Sequence, residues 1–179
     1  MLRLNNAQLA IIDVQGNLAR VVAESEARVQ AIVKLVKGCQ ALELPILLTA
    51  QVPEKIGHTI PEIRELLPEA HEYPRTSFSI FADSRCREAL LAAGRKQVLL
   101  AGFETHICLY QTSLDLLQAG YEPWLVTDCT SSRDLANKSV ALQEARAEGA
   151  HLCSVEQAFF SLLRTAGHPQ FKTLSKLIR

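Results

Sequence analysis

Five short apolar runs, separated by stretches with helical spacing, decide what this chain can fold into. The runs are Leu9–Ile12, Ile46–Thr49, Val98–Ala101, Trp124–Thr127 and Ala150–Cys153. Each is apolar on both sides of the two-residue alternation of a strand, the pattern of a strand covered on both faces. Between them the periodicity changes. Val29, Ile32, Val33, Val36 and Cys39 recur at helical spacing within Glu24–Leu44, and Ile107, Tyr110, Leu114 and Leu117 do so within His106–Ala119. Further helices are expected at Arg85–Ala93, Leu135–Glu148 and Val155–Thr165, with an amphipathic tail over His168–Ile178 that packs either on its own domain or on a neighbouring subunit. Gly94 and Gly120 stand where helices stop. Strands alternating with helices predict an α/β fold with a mostly parallel sheet. Residues 51–81, rich in proline, read as irregular with one short helix near Glu62–Leu67, long enough to cover a site as a lid.

The chain has 179 residues, which fits a single domain over 1–179. Nineteen Lys and Arg balance nineteen Asp and Glu. A neutral chain gives no electrostatic reason to expect nucleic acid or a membrane surface as partner, and no apolar run approaches the ~20 residues of a membrane span. The five cysteines, Cys39, Cys86, Cys108, Cys129 and Cys153, are odd in number, widely spaced and without a C-x-x-C pair. That pattern predicts free thiols in a reducing compartment, with no signal segment, and so a cytoplasmic protein.

In parallel α/β sheets ligands bind beyond the carboxyl ends of the strands. The polar residues immediately after the apolar runs are Asp13, Gln51, the Glu104–Cys108 turn and Asp128, which should therefore gather on one rim. Cys108 falls where a strand passes into a helix, so the helix dipole is expected to favour its thiolate. A carboxylate beside a thiol can take its proton and return it to a leaving group, and a cation stabilises the charge that develops. Lys55, Arg64 and Arg75 supply candidate cations. Each residue also has an ordinary reading: Cys108 as a buried small hydrophobe, Asp13 as a turn cap. His106 reads as a residue of the helix start. The chain lacks a G-x-G-x-x-G, a P-loop and a G-x-S-x-G elbow, and its five histidines show no metal-ligand spacing.

Several segments together resemble the isochorismatase-like cysteine hydrolases, closest to the isochorismatase domain-containing branch. They are Ile11–Gln15, Leu48–Gln51, Gly57–Glu62, Thr76–Ser79, Gly102–Cys108, Thr127–Arg133 and His168–Lys172, and the similarity runs over nearly the whole chain. The resemblance implies a three-layer α/β/α sandwich and an Asp–Lys–Cys triad. Asp13 matches the general base, and Cys108 the nucleophile that forms a thioester acyl-enzyme. A non-proline cis peptide would fall at Phe103–Glu104, with the N–H groups of Glu104 and Cys108 forming an oxyanion hole. Gln51 and Phe78 would line the substrate pocket. The lysine position is occupied by Arg75, which keeps the charge but cannot deprotonate. The metal-binding Asp-x-His of the nicotinamidase branch is replaced by Thr49-Ala50-Gln51-Val52-Pro53, so neither metal nor other cofactor is expected. The enzymes named for isochorismate hydrolysis typically lack the cysteine. The implied activity is hydrolysis of a C–N bond in a small amide by a homo-oligomer. The alternative is a catalytically decayed member that binds a small molecule or a protein partner.

Overall fold

The computed structural model describes residues 1–179. In chain order the elements are β1 (Ala7–Ile12), α1 (Leu18–Val21), α2 (Ser25–Ala41), β2 (Ile46–Gln51), α3 (Pro53–Ile56), α4 (Pro61–Arg64), β3 (Glu72–Arg75), α5 (Ser84–Ala92) and β4 (Gln97–Phe103). A π-helical turn at Thr105–Leu109 then runs into α6 (Tyr110–Gln118), followed by β5 (Glu122–Ser131), α7 (Leu135–Ala147), β6 (His151–Cys153), α8 (Val155–Leu163) and α9 (Phe171–Leu177). The six strands form one sheet in the order β3-β2-β1-β4-β5-β6. Every pairing is parallel.

The strand alternation divides the core into two layers. Leu9 and Ile11 of β1 face one cluster with Ile32, Leu35 and Val36 of α2 and Phe159 and Leu162 of α8. Ala10 and Ile12 face the other, with Cys86 and Leu90 of α5 and Leu116 of α6. All of β1 and β4 is buried, as the unbroken apolar runs require. The result is the expected three-layer sandwich. Each fully buried aliphatic side chain contributes roughly 1.5–3 kcal/mol. Helix α9 settles on its own domain: Leu174 is buried against the α2 side, and Phe171, Leu177 and Ile178 pack beside it.

Three features depart from the sequence reading. Residues 51–81 contain a strand, β3, as well as α3 and α4. Its sequence, Glu-Tyr-Pro-Arg, has no apolar run, and its proline is compatible with a strand only because β3 lies at the sheet edge. Strand β5 continues four residues past Thr127, through polar residues that are buried at Thr130 and Ser131. Asp128 therefore does not reach the rim. Its carboxylate accepts the Val155 N–H at 3.0 and 3.1 Å, at the start of α8.

Two glycines permit close approaches. A Cβ at Gly102, whose φ is +132°, would lie 1.8 Å from the Ile12 carbonyl oxygen, so only glycine lets β4 run this close to β1. A Cβ at Gly38 in α2 would lie 2.1 Å from the Phe159 ring. Alanine at position 38 gains about 1 kcal/mol of helix propensity but overpacks the α2–α8 contact, which costs about 1–3 kcal/mol. Urea titration should show Gly38→Ala less stable than the parent, and the same change should turn neutral or stabilising in a Phe159→Leu background. Equal effects in both backgrounds would refute the packing account.

Candidate active site

From β1 the chain winds outward through β2 and β3 on one side, then crosses to β4 on the other. The turns after β1 and β4 therefore part, and a crevice opens at this switch point. Asp13 directly follows β1, and Glu104–Cys108 follow β4. Gln51 and Arg75 are the last residues of β2 and β3 and pair in register. Chain winding alone thus collects a carboxylate, an amide, a guanidinium and a thiol.

The centre is a buried ion pair. Arg75 Nη2 lies 2.6 Å from Asp13 Oδ2, with the side chains 0% and 1% exposed. Arg75 Nη1 donates to the Ser77 carbonyl. Asp13 has φ +56°, a left-handed conformation that aspartate tolerates better than most residues. Asp13 Oδ1 and Arg75 Nε are buried with no hydrogen-bond partner in the protein. Burial raises the Asp13 pKa, and the Arg75 charge, which pulls it down, does not fully offset that.

Cys108 sits in the π-helical turn and is 4% exposed. Its Sγ is 3.9 Å from Gln51 Oε1. Burial and then the Asp13 charge push the thiol up to about 12, against a smaller pull from Arg75. The environment differs from the one expected for a resting thiolate: burial and the Asp13 carboxylate both favour the protonated thiol. The Cys108 N–H, expected to face an oxyanion, donates to the Glu104 carbonyl at 3.1 Å, as does Ile107 N–H. The Phe103–Glu104 peptide bond is cis. The Glu104 carboxylate accepts the Arg133 backbone N–H at 3.0 Å and Arg133 Nε–H. His106 Nδ1 meets Ser132 Oγ at 2.9 Å, so it braces the end of β5.

The other expected residues are more scattered. Gln51 Nε2 donates to the Thr76 carbonyl at 3.3 Å, which keeps its side chain beside the thiol. Phe78 is 49% exposed and stands on the outer rim. Lys55 is exposed, and Arg64 holds the carbonyls of Ala70 and Pro68. Neither joins the pair. A cavity of about 220 Å³ opens next to Arg75, with Glu54, Asp83 and Arg85 on its walls, and a larger one, about 840 Å³, lies around residues 1–5, Arg95 and Arg164. Neither cavity is lined by Asp13, Gln51 or Cys108. No group of three or more His, Cys, Asp or Glu side chains is arranged to hold a metal ion.

Gln15 was not singled out by sequence reasoning. Fully buried, it donates from Nε2 to the carbonyls of Gln51 at 2.9 Å and Gly57 at 2.7 Å, and its Oε1 accepts the Gln51 N–H at 2.8 Å. It fixes the 51–57 turn over the end of β1. The available signal was a long polar side chain two residues after Asp13, inside a segment otherwise built to be buried.

The model for the isochorismatase domain matches residues 7–157. The chain belongs to the isochorismatase family. Among its relatives, the secreted isochorismatase effector Isc1 of Phytophthora sojae is 35% identical over 98% of this chain and 85% of its own length. Isochorismatase domain-containing protein 2A of Mus musculus is 35% identical over 96% and 82%. Two solved structures have the same fold. The MAR1 ribonuclease from Caenorhabditis elegans superposes with a TM-score of 0.92 at 29% identity, covering 99% of this chain and 91% of that one. The YcaC gene product from Escherichia coli, described as an octameric hydrolase of unknown specificity, superposes at 0.93 with 22% identity over 99% and 88%. The isochorismatase fold thus accounts for the sheet order and for the crevice between β1 and β4.

The ion pair makes a stability prediction for this isochorismatase-family site. Arg75→Met leaves a buried carboxylate alone, and Asp13→Asn leaves a buried guanidinium alone. Each should cost about 3–5 kcal/mol. The double variant should lose clearly less than the sum. Urea midpoints of the four proteins test this, and additive losses would show that the two groups do not depend on one another.

Proposed function

We propose that this isochorismatase-family hydrolase acts on a C–N bond of a small amide through a Cys108 acyl-enzyme. The observation that supports it is a single thiol facing a buried Asp13–Arg75 pair at the switch point of the sheet. In the first half-reaction Cys108 Sγ attacks the amide carbonyl carbon and its proton passes to the Asp13 carboxylate. Collapse of the tetrahedral adduct breaks the C–N bond, and Asp13 returns the proton to the leaving amine, giving a thioester. Water then attacks the thioester carbon and gives its proton to Asp13. The C–S bond breaks, the sulfur recovers a proton, and a carboxylic acid departs.

The charges fit these roles. Burial makes Asp13 a stronger base than a free carboxylate, which suits it to accept a proton from a thiol that holds it tightly. Arg75 remains charged throughout, so its contribution is electrostatic and positional. Gln51 and the rim around Phe78 would contact substrate. Several large apolar side chains are exposed, Val21, Phe78 and Leu135 among them, and a homo-oligomer that covers such side chains is part of this reading.

Turnover of a panel of small primary amides tests the reading. Cys108→Ala should abolish hydrolysis, and the native protein should carry an acyl mass on the Cys108 peptide alone. An unchanged rate in the variant would sink the mechanism. The thiol's pH profile gives an independent check with a defined sign. The Asp13 charge raises the Cys108 pKa and Arg75 lowers it. Asp13→Asn should therefore speed iodoacetamide alkylation of Cys108 at pH 9, and Arg75→Met should slow it. One observation favours a second reading, a decayed member that only binds: the sulfur is closed off and protonated at rest. Arg75→Lys discriminates. Gained turnover would mark a decayed enzyme, and lost turnover an arginine adapted to its own substrate.

A further inference from the structure

Lys138 is the one lysine buried in the fold, 9% exposed on α7. No carboxylate lies within ion-pair distance of it. Its Nζ donates instead to two backbone carbonyls of β5, Thr127 at 2.8 Å and Thr130 at 2.7 Å. Burial, and then the nearby Arg28, lower its pKa to about 8. Glu24 and Asp128 favour the charge from farther off without offsetting burial, and taking an ammonium out of water without a contact ion pair is costly.

The two carbonyls belong to an irregularity in the sheet. Leu100 pairs with Leu125, yet Gly102 pairs with Thr130. Two steps along β4 thus match five along β5, and residues between Leu125 and Thr130 arch out of the ladder. Lys138 bridges the arch. Thr130 Oγ1 also donates to the Thr127 carbonyl at 3.2 Å. The arch sets the register of the residues after Thr130. Ser132 Oγ meets His106, and Arg133 clasps the Glu104 carboxylate through its N–H and Nε. Glu104 in turn accepts the Cys108 N–H on its carbonyl.

We infer that Lys138 is a positioning residue for the nucleophile turn: it locks the β5 arch, and through Ser132 and Arg133 the arch holds Glu104 and hence Cys108 in place. This rests on the reading of Cys108 as the nucleophile. Its geometric content, however, is tested on the thiol itself.

The experiment follows alkylation of Cys108 by iodoacetamide across pH in the full-length protein, with Cys39, fully buried in α2, as internal control. Lys138→Met removes the Nζ donor from both carbonyls, leaving that of Thr127 with the bond from Thr130 Oγ1. The loosened turn should admit water and lower the thiol's apparent pKa by a unit or more, giving about tenfold faster labelling at pH 8. Cys39 labelling should not change. Ala141→Gly, another buried site on α7, controls for general destabilisation and should leave the Cys108 profile as it was. Lys138→Arg, which restores donors to both carbonyls, should return the profile toward that of the parent. If Lys138→Met does not fold, Lys138→Gln carries the same comparison. An unshifted profile in a folded variant, or an equal shift in Ala141→Gly, would overturn the inference. A shifted profile in a protein that hydrolyses no amide would leave Lys138's role standing and remove the amidase reading.

Discussion

The site depends on the ion pair between Asp13 and Arg75, which ties the end of β1 to the end of the edge strand β3 across β2. Both side chains are withdrawn from water, so each needs the other. Removing one leaves a bare charge whose desolvation nothing offsets. The pair also explains how so short a strand as β3 can stay in place. Its four residues bury little apolar surface, and its last residue is anchored by a charge-assisted bond to the central strand. The thiol is then placed between groups of opposite sign, and its behaviour is set by their balance together with burial.

The polar costs in this molecule are unevenly distributed. Seven buried side-chain atoms lack a hydrogen-bond partner in the protein, and four of them, on Asp13, Thr59, Arg75 and Thr105, belong to segments at the carboxyl ends of the strands. The sheet interior, by contrast, is apolar and close-packed. Local rules are thus broken where the chemistry is proposed to occur, as expected when a site is maintained against stability. The left-handed backbone at Asp13 belongs to the same pattern.

Much of this was legible in the sequence because burial on both faces leaves a strong signal. Runs such as Leu9–Ile12 and Val98–Ala101 can hardly be anything but inner strands, and the residue after each is then placed by topology. Asp13, Gln51 and Cys108 came together for that reason. Arg75 stood as one of three candidate cations, with Lys55 and Arg64, and only the resemblance chose among them, since Glu-Tyr-Pro-Arg carries no strand pattern and its strand exists by virtue of its neighbour β2 and the bond to Asp13. The end of β5 was hidden in a different way. Asp128–Ser131 is polar apart from Cys129, and its burial is made possible by partners on other elements: Lys138 on α7, Ala23 before α2 and the start of α8. A pattern of period two cannot register an arch held by such contacts.

The thiol shows how a residue's place in the chain fold can be read from sequence while its surroundings cannot. Sequence places Cys108 at a strand-to-helix junction, where a free helix N-terminus would favour the thiolate. In the folded chain the N–H of Cys108 is engaged by Glu104, the turn is of π type, and the sulfur lies beside a carboxylate with little water. Desolvation and like charge then dominate, and both favour the protonated form. In the proposed mechanism, a thiol beside a base strengthened by burial would give up its proton at the moment of attack rather than store a thiolate. The geometry that makes Cys108 quiet in the closed site is the same geometry that places a proton acceptor beside it.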